Sequence, residues 1–236
     1  MSINLLYKKE YHVTDKVSIV IPTVGEILDN EDAYYGLVST ITAMPIDMCV
    51  QLHDAGIDFT SINEYELFLM MFGGFKDIDS GLVFKDLDLS KFQLAQSEQN
   101  SQYVMIDRDS DIVIDRLVYE KTAMVLRKIH GYEKNLKTPG NEDAKEYLIE
   151  RTRKKLKRAK TNKESQLEPL IVAMVNTEQY KYNYEETLGL TIYQFNECVR
   201  QIIKKVDYSN RMIGVYSGTV NVKDMSKDEL NWLVHK

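Results

Sequence analysis

Residues 65–72 are apolar on nearly every side, and this segment constrains the fold more than any other. Only Glu66 is charged in it. Just before it, Ser61 and Glu64 have the spacing of a capping box, which predicts the start of a helix. Gly73 and Gly74 follow and are predicted to break it. A helix without a polar face must be buried, so we expect this one at the centre of a core.

Further helices are indicated by apolar residues at helical spacing and by capping signals. Thr23 and Glu26 form one capping-box pattern, and Pro45 suits the first turn of a helix that Gly56 would end. Thr191 and Gln194 form a third such pattern. The predicted helices cover residues 33–44, 45–54, 117–132, 143–160, 169–176, 192–206 and a terminal segment opened by Ser226 and Glu229.

The helix predicted at residues 117–132 has a broad apolar face that contains Leu117, Met124, Leu126 and Ile129. In the last long helix, one face carries Ile192, Phe195, Val199, Ile202, Ile203 and Val206. Both faces are predicted to pack against other elements. Residues 215–220 are predicted to form a turn or short strand.

Strand signals are few. Residues 17–21 alternate, with Val17, Ile19 and Ile21 on one face. Residues 103–106 and 112–114 are rich in β-forming side chains and flank the polar run 107–111, which predicts a hairpin. We therefore expect an α+β fold that is predominantly α-helical, with a small antiparallel β element, the hairpin near residues 102–115.

Three regions are predicted along the chain. Residues 1–134 form an α+β N-terminal domain. Residues 135–163 comprise a linker, marked by Pro139-Gly140, and a basic charged helix. Residues 164–236 form a helical C-terminal region.

Charge is distributed very unevenly. Eight basic residues and no acidic one occur between residues 151 and 163, whereas the rest of the chain has 22 basic against 36 acidic residues, a net charge of −14. Arg151, Lys154, Lys155 and Arg158 would share one side of a helix. The run contains no aromatic residue for base stacking. It is interpreted as a solvated face or linker, a dock for an acidic protein, or, less favoured, a nucleic-acid contact.

Candidate interaction residues follow from two features. The first is this basic run, and the second is an alternating tyrosine group in a segment predicted to be extended, because tyrosine is enriched at protein interfaces. The tyrosines would equally suit a half-buried sheet. The candidates are Arg151, Arg153, Lys154, Lys155, Lys157, Arg158, Lys160, Tyr180, Tyr182 and Tyr184.

No catalytic, cofactor-binding or metal-binding residue is predicted, and we do not expect an enzyme. Asp107, Asp109 and Asp111 begin like a calcium loop, but Ile112 and Val118 stand where glycine and glutamate are needed. A turn explains these aspartates better. The histidines and the two cysteines lack the spacing of zinc ligands, and glycine-rich phosphate loops are missing.

The expected location is a reducing cytosol. Two distant cysteines, Cys49 and Cys198, do not suggest a disulfide framework, and both fall in amphipathic helices. The first residues do not read as a signal peptide. No apolar stretch approaches the length of a membrane span, so no membrane partner is expected.

Several stretches resemble a family of proteins from tailed phages and prophages of Gram-positive bacteria. They are residues 21–29 (IPTVGEILD), 34–48 (YYGLVSTITAMPIDM), 56–72 (GIDFTSINEYELFLMMF), 192–212 (IYQFNECVRQIIKKVDYSNRM) and 214–220 (GVYSGTV). The resemblance covers nearly the whole chain and brings no catalytic residues.

The resemblance implies a tail-morphogenesis protein, similar to the assembly chaperones that accompany the tape-measure protein. Its partners would be tape-measure or tail-tube subunits in the host bacterial cytoplasm, bound by helix-in-groove recognition. One alternative is a virion structural protein of the tail or connector. A further alternative is a nucleic-acid-binding phage regulator that uses the basic helix.

Overall fold

A computed structural model describes residues 4–97, 102–159 and 165–233. The helices are α1 Val24–Leu28, α2 Glu31–Thr42, α3 Cys49–Asp54, α4 Glu64–Phe75, α5 Arg116–His130, α6 Glu142–Ala159, α7 Leu167–Val175, α8 Tyr184–Gly189 and α9 Ile192–Tyr216. Short 3-10 turns occur at Pro45–Met48, Leu89–Lys91 and Val222–Asp224. The strands are β1 Glu10–His12, β2 Ser18–Val20, β3 Gln93–Gln96, β4 Tyr103–Asp107 and β5 Ile112–Ile114.

The strands form two small antiparallel sheets, β1-β2 and β3-β4-β5. The predicted hairpin is β4-β5, with Met105 opposite Ile114. The turn between them uses Asp111 at a φ of 51°. The α+β, mainly helical fold class is therefore confirmed. Strand β3, which pairs Gln93 with Ile106, was not predicted.

The main core surrounds α4 and α5. Phe68, Phe72 and Phe75 of α4 pack with Tyr119 and the other buried side chains of α5. The same core takes in Leu167 of α7 and the start of α9. The three-part division of the chain stays a prediction, and this continuous core includes side chains from both its first and its last part.

The start of α9 is tied to the start of α1. The Val24 amide donates to the Leu190 carbonyl at 2.9 Å, and the Ile192 amide donates to the Pro22 carbonyl at 2.8 Å. Both helices begin with the predicted capping boxes, Thr23 with Glu26 and Thr191 with Gln194. The side chain of Gln194 also donates to the Leu6 carbonyl.

A buried ion pair joins α4 to α5. The Arg127 guanidinium donates to a Glu64 carboxylate oxygen at 2.7 Å, and their side chains are 6% and 13% exposed. Arg127 also donates to the Thr42 carbonyl at 2.8 Å. Lys134 pairs with the other oxygen of Glu64. The buried charges are thus paired and hydrogen-bonded, as burial requires.

Two predictions about α4 are wrong in detail. The N-cap is Asn63, whose side chain accepts from the Tyr65 and Glu66 amides, and Glu66 completes the capping box. The helix also continues through Gly73 and Gly74 to Phe75. Glycine costs about 1 kcal/mol in a helix. Burial of Phe72 and Phe75 offsets this cost.

The surface of α5 and the segment after residue 206 also differ from the prediction. Leu117 and Met124 of α5 are exposed, whereas Leu126 and Ile129 are buried as predicted. Helix α9 continues to Tyr216, so only residues 217–220 form the turn. Ser226 and Glu229 do exchange the predicted capping hydrogen bonds, but within the described chain they close a single turn and not a helix.

Candidate interaction surfaces

Helix α6 lies at the edge of the molecule on a small second core. Among the α6 side chains that the structure describes, Ile149 is the fully packed one; it is 5% exposed and contacts the cluster around Cys49, Leu52 and Phe59. Two ion pairs flank it. Lys145 pairs with Asp58 at 2.7 Å, and Arg153 pairs with Asp54 at 2.6 Å.

The opposite side of α6 carries the basic face, which we define as Arg151, Lys154, Lys155 and Arg158. All four are exposed and line a shallow depression of about 250 Å³. Lys154 approaches Glu150 at 4.0 Å. Sequence reasoning correctly grouped these four side chains. Helical spacing also places Arg153 on a different side of α6 from these four residues. In the structure, Arg153 points toward Asp54.

The basic face also includes an aromatic ring that sequence reasoning missed. Tyr147 is 68% exposed and lines the same depression. It lies just outside the basic run, but its four-residue spacing from Arg151 was a sufficient signal. Lys157 is exposed beside this face, whereas Lys160 lies outside the described residues.

The tyrosine group divides between core and surface. Tyr180 is buried, its hydroxyl lies 3.1 Å from the Thr187 hydroxyl, and burial raises its pKa. Its ring contacts Tyr182 and Phe195. Tyr182 and Tyr184 are partly exposed, and Tyr184 begins α8 instead of continuing an extended segment.

Helix α9 presents an uncovered apolar face. At its start, Ile192 and Phe195 are fully buried. Further along the same side, Ile203 is 62%, Val206 39% and Ile213 67% exposed. We call these last three residues the α9 stripe. The prediction of one amphipathic face is confirmed, but only its first half is packed in the described part of the chain.

The segment after α9 returns along a different side of the helix. Gln201 donates to the Trp232 carbonyl at 2.7 Å, and Lys204 pairs with Asp228 at 2.7 Å. Arg211 pairs with Glu229. The returning segment is thus held by polar contacts to residues off the stripe. These contacts leave the stripe exposed in the part of the chain that the structure describes.

A second concave surface, which we call the acidic groove, lies along α2. It consists of two adjoining clefts of about 540 and 660 Å³ that share Ser39 and Tyr132 as walls. Its carboxylates are Glu31, Asp32, Asp47 and Glu133, and its rings are Tyr35 and Tyr132. No lysine or arginine is among the described residues that line it.

Glu31 is fixed within this groove. Burial opposes ionisation of its carboxyl, but hydrogen bonds from Ser165 and from the Leu167 and Gln166 amides prevail and lower its pKa. Behind the groove, His130 contacts the Tyr34 hydroxyl at 3.0 Å, and the rings of Tyr35 and Tyr132 pack on it. Burial lowers the pKa of His130 to about 4.

Two aspartates of the β4-β5 turn make structural contacts, one within the turn and one with Lys16. Asp107 accepts from the Asp109 amide at 3.0 Å, and Asp111 pairs with Lys16 at 2.9 Å. Among the residues that the structure describes, no cluster of three histidine, cysteine or carboxylate side chains has the arrangement of a metal site. Over the same residues, no helix has the length and hydropathy to cross a membrane.

One family model matches the C-terminal third of the chain. Residues 158–235 match the family model described as the YomV second domain. The match covers α7, α8 and α9 with the returning segment, and it indicates a phage- or prophage-type protein family. No curated protein and no solved structure matches the chain.

Proposed function

We propose that this phage-type protein is a non-catalytic factor of tail morphogenesis, an assembly chaperone that holds an amphipathic helix of a tape-measure or tail-tube subunit in the host cytoplasm. The α9 stripe is the observation that carries the proposal. Exposed isoleucines on a helix cost free energy in water, about 25 cal/mol for each Å² of apolar surface. A client helix that covers these side chains recovers this free energy.

The position of the stripe supports this proposal. It lies in the part of the chain that matches the phage-type family model, and the sequence resemblance to tail-morphogenesis proteins extends through residues 192–212. The helix is anchored at its buried start, so the exposed half is presented on a fixed base. A client would not need to unfold the chaperone in order to bind.

The first test is deletion of the gene. We expect tailless heads in electron micrographs of the lysate, and we expect mass spectrometry to find no stoichiometric amount of the chain in purified wild-type particles. Many copies per particle would instead identify a structural component of the tail or connector. Normal particles in the deletion strain would exclude any essential role of this protein in tail morphogenesis.

The second test targets the stripe. We expect Ile203→Asp with Ile213→Asp to reproduce the tail defect, because two carboxylates cannot be buried against an apolar client. The matched control is Lys205→Asp with Lys223→Asp, which places carboxylates at exposed positions off the stripe. If both double variants assemble tails normally, the stripe does not bind the client.

A further inference from the structure

The basic face of α6 and the acidic groove along α2 are complementary in charge. We propose that a second copy of this chain docks through them, so that the basic face of each protomer lies in the acidic groove of the other. This pairing does not involve the α9 stripe. It therefore does not depend on the proposed chaperone function.

The charges at both surfaces are available. Arg151 and Lys155 are exposed and form no ion pair with any residue that the structure describes. Asp32 and Glu133 on the groove side are exposed, and their carboxylates form no ion pair with any residue that the structure describes. Unpaired charges of opposite sign attract over about 10 Å at moderate ionic strength.

Nearby charges do not cancel this complementarity. Arg200 packs against Gly131 at one end of the groove, but its charge is balanced by Glu197. Lys134 follows Glu133 in the chain and is paired with Glu64. The carboxylates of the groove thus determine its sign.

Aromatic rings supply the shape of the contact. Tyr132 is 43% exposed and lines both clefts, and Tyr35 lines one of them. A guanidinium such as that of Arg151 can stack on a tyrosine ring while it pairs with a carboxylate. The exposed Tyr147 of the basic face would be covered in the same contact.

The arrangement of α6 favours a second copy as the occupant. Ile149 and Arg153 hold the other side of the helix against α3, so the basic face points away from its own protomer. A reciprocal, two-fold contact lets one pair of surfaces be used twice. A nucleic acid would meet the same basic face, but the remaining net charge of −14 repels phosphates.

The test is sedimentation of the full chain at several concentrations. We expect a dimer at low salt, about 0.05 M, that dissociates at about 0.5 M salt, where charges are screened. Lys154→Glu with Lys155→Glu should weaken the dimer about tenfold or more, and so should Asp32→Lys with Glu133→Lys. The control, Lys223→Glu with Lys227→Glu, changes charge equally at an exposed site elsewhere and should leave the dimer intact.

Mixing the two charge-reversed variants gives the sharpest result. In the mixture, the glutamates introduced on α6 of one variant face the lysines introduced in the groove of the other, and an unchanged basic face meets an unchanged acidic groove. A heterodimer should therefore form more tightly than either variant pairs with itself. Circular dichroism of each variant checks that it is folded.

Three outcomes would overturn the proposal. The wild-type chain could remain monomeric at about 100 μM in low salt, which excludes useful affinity. A dimer could form that is indifferent to the charge reversals. A short single-stranded DNA could bind the monomer and lose binding in the Lys154→Glu, Lys155→Glu variant, which would assign the basic face to nucleic acid.

Discussion

Helices α5 and α6 are both rich in charge, yet they occupy opposite environments. In α5, Arg127 is buried and paired, and His130 is half-buried, with a lowered pKa of about 4 that keeps it neutral at ordinary pH. In α6, Ile149 is the fully packed residue, and the flanking ion pairs are at the surface. Helix α5 is therefore part of the main core, whereas α6 packs on the small second core through one side chain.

The difference shows that charge content alone does not locate a functional surface. A buried charge must be matched by a specific partner, and its removal is costly. An exposed charge contributes little to stability and is free to serve binding. The contrast between α5 and α6 can be tested by substitutions in each helix.

The largest effect is expected at the buried pair of α5. Arg127→Met leaves Glu64 largely buried without its guanidinium, and we expect a loss of about 3 kcal/mol in the free energy of unfolding, measured in urea. Adding Glu64→Gln should recover part of this loss, because it removes the largely buried carboxylate that has lost its guanidinium partner and keeps only Lys134. A loss below about 0.5 kcal/mol would place this pair in the class of surface ion pairs.

His130 should make the stability of the chain depend on pH. Its pKa is about 4 when folded and 6.5 when unfolded, so the unfolded chain binds the proton more readily. The stabilisation is complete above pH 6.5 and is lost as the pH falls toward 4. At pH 5 the loss is about 2 kcal/mol. In His130→Gln, the free energy of unfolding, measured in urea at pH 7 and at pH 5, should not show this loss. An equal change between the two pH values in both proteins would contradict burial of the ring.

A smaller and local effect is expected at the anchor of α6. Ile149→Ala removes the buried side chain of the helix and should cost about 1–2 kcal/mol, limited by the energy of detaching α6. Hydrogen exchange should accelerate in residues 142–159 and stay unchanged in α4 and α5. The control is Leu156→Ala, which truncates a more exposed apolar side chain of the same helix. Faster exchange throughout the core would show that α6 is part of one cooperative unit.

The smallest effect is expected at the surface ion pair of α6. Arg153→Gln breaks the contact with Asp54, but both groups are accessible to water, so exchange in α6 should change less than in Ile149→Ala. High salt should remove the remaining difference from the wild type. An effect larger than that of Ile149→Ala would mean that charge, and not packing, holds the helix.

Local chemistry made much of this fold predictable. Thr23 and Thr191 were recognised as N-caps because a hydroxyl and an acid or amide three residues later satisfy free amides within one turn. The β4-β5 hairpin was recognisable because its aspartates suit the turn. The side of α6 that bears Arg151 and Arg158 followed from helical geometry alone.

The remaining features depend on contacts between distant residues. Gly73 and Gly74 stay helical because Phe75 is buried in the tertiary core, which overrides propensity. Strand β3 has no strong pattern of its own and exists by pairing with β4. The exposure of Ile203 and the acidic groove were not predictable, because a stripe that packs in the core and one that stays open have the same spacing.

The paired starts of α1 and α9 set an order of events during synthesis. Gln194 reaches the Leu6 carbonyl across a sequence separation of 188 residues. On a ribosome, α1 therefore emerges long before α9 has been synthesised. Until then, the first amides of α1 are hydrogen-bonded to water or to other groups. Such distant closure slows folding. Chains released early would expose the surface that α9 later covers, so completion of the fold depends on translation of the last helix.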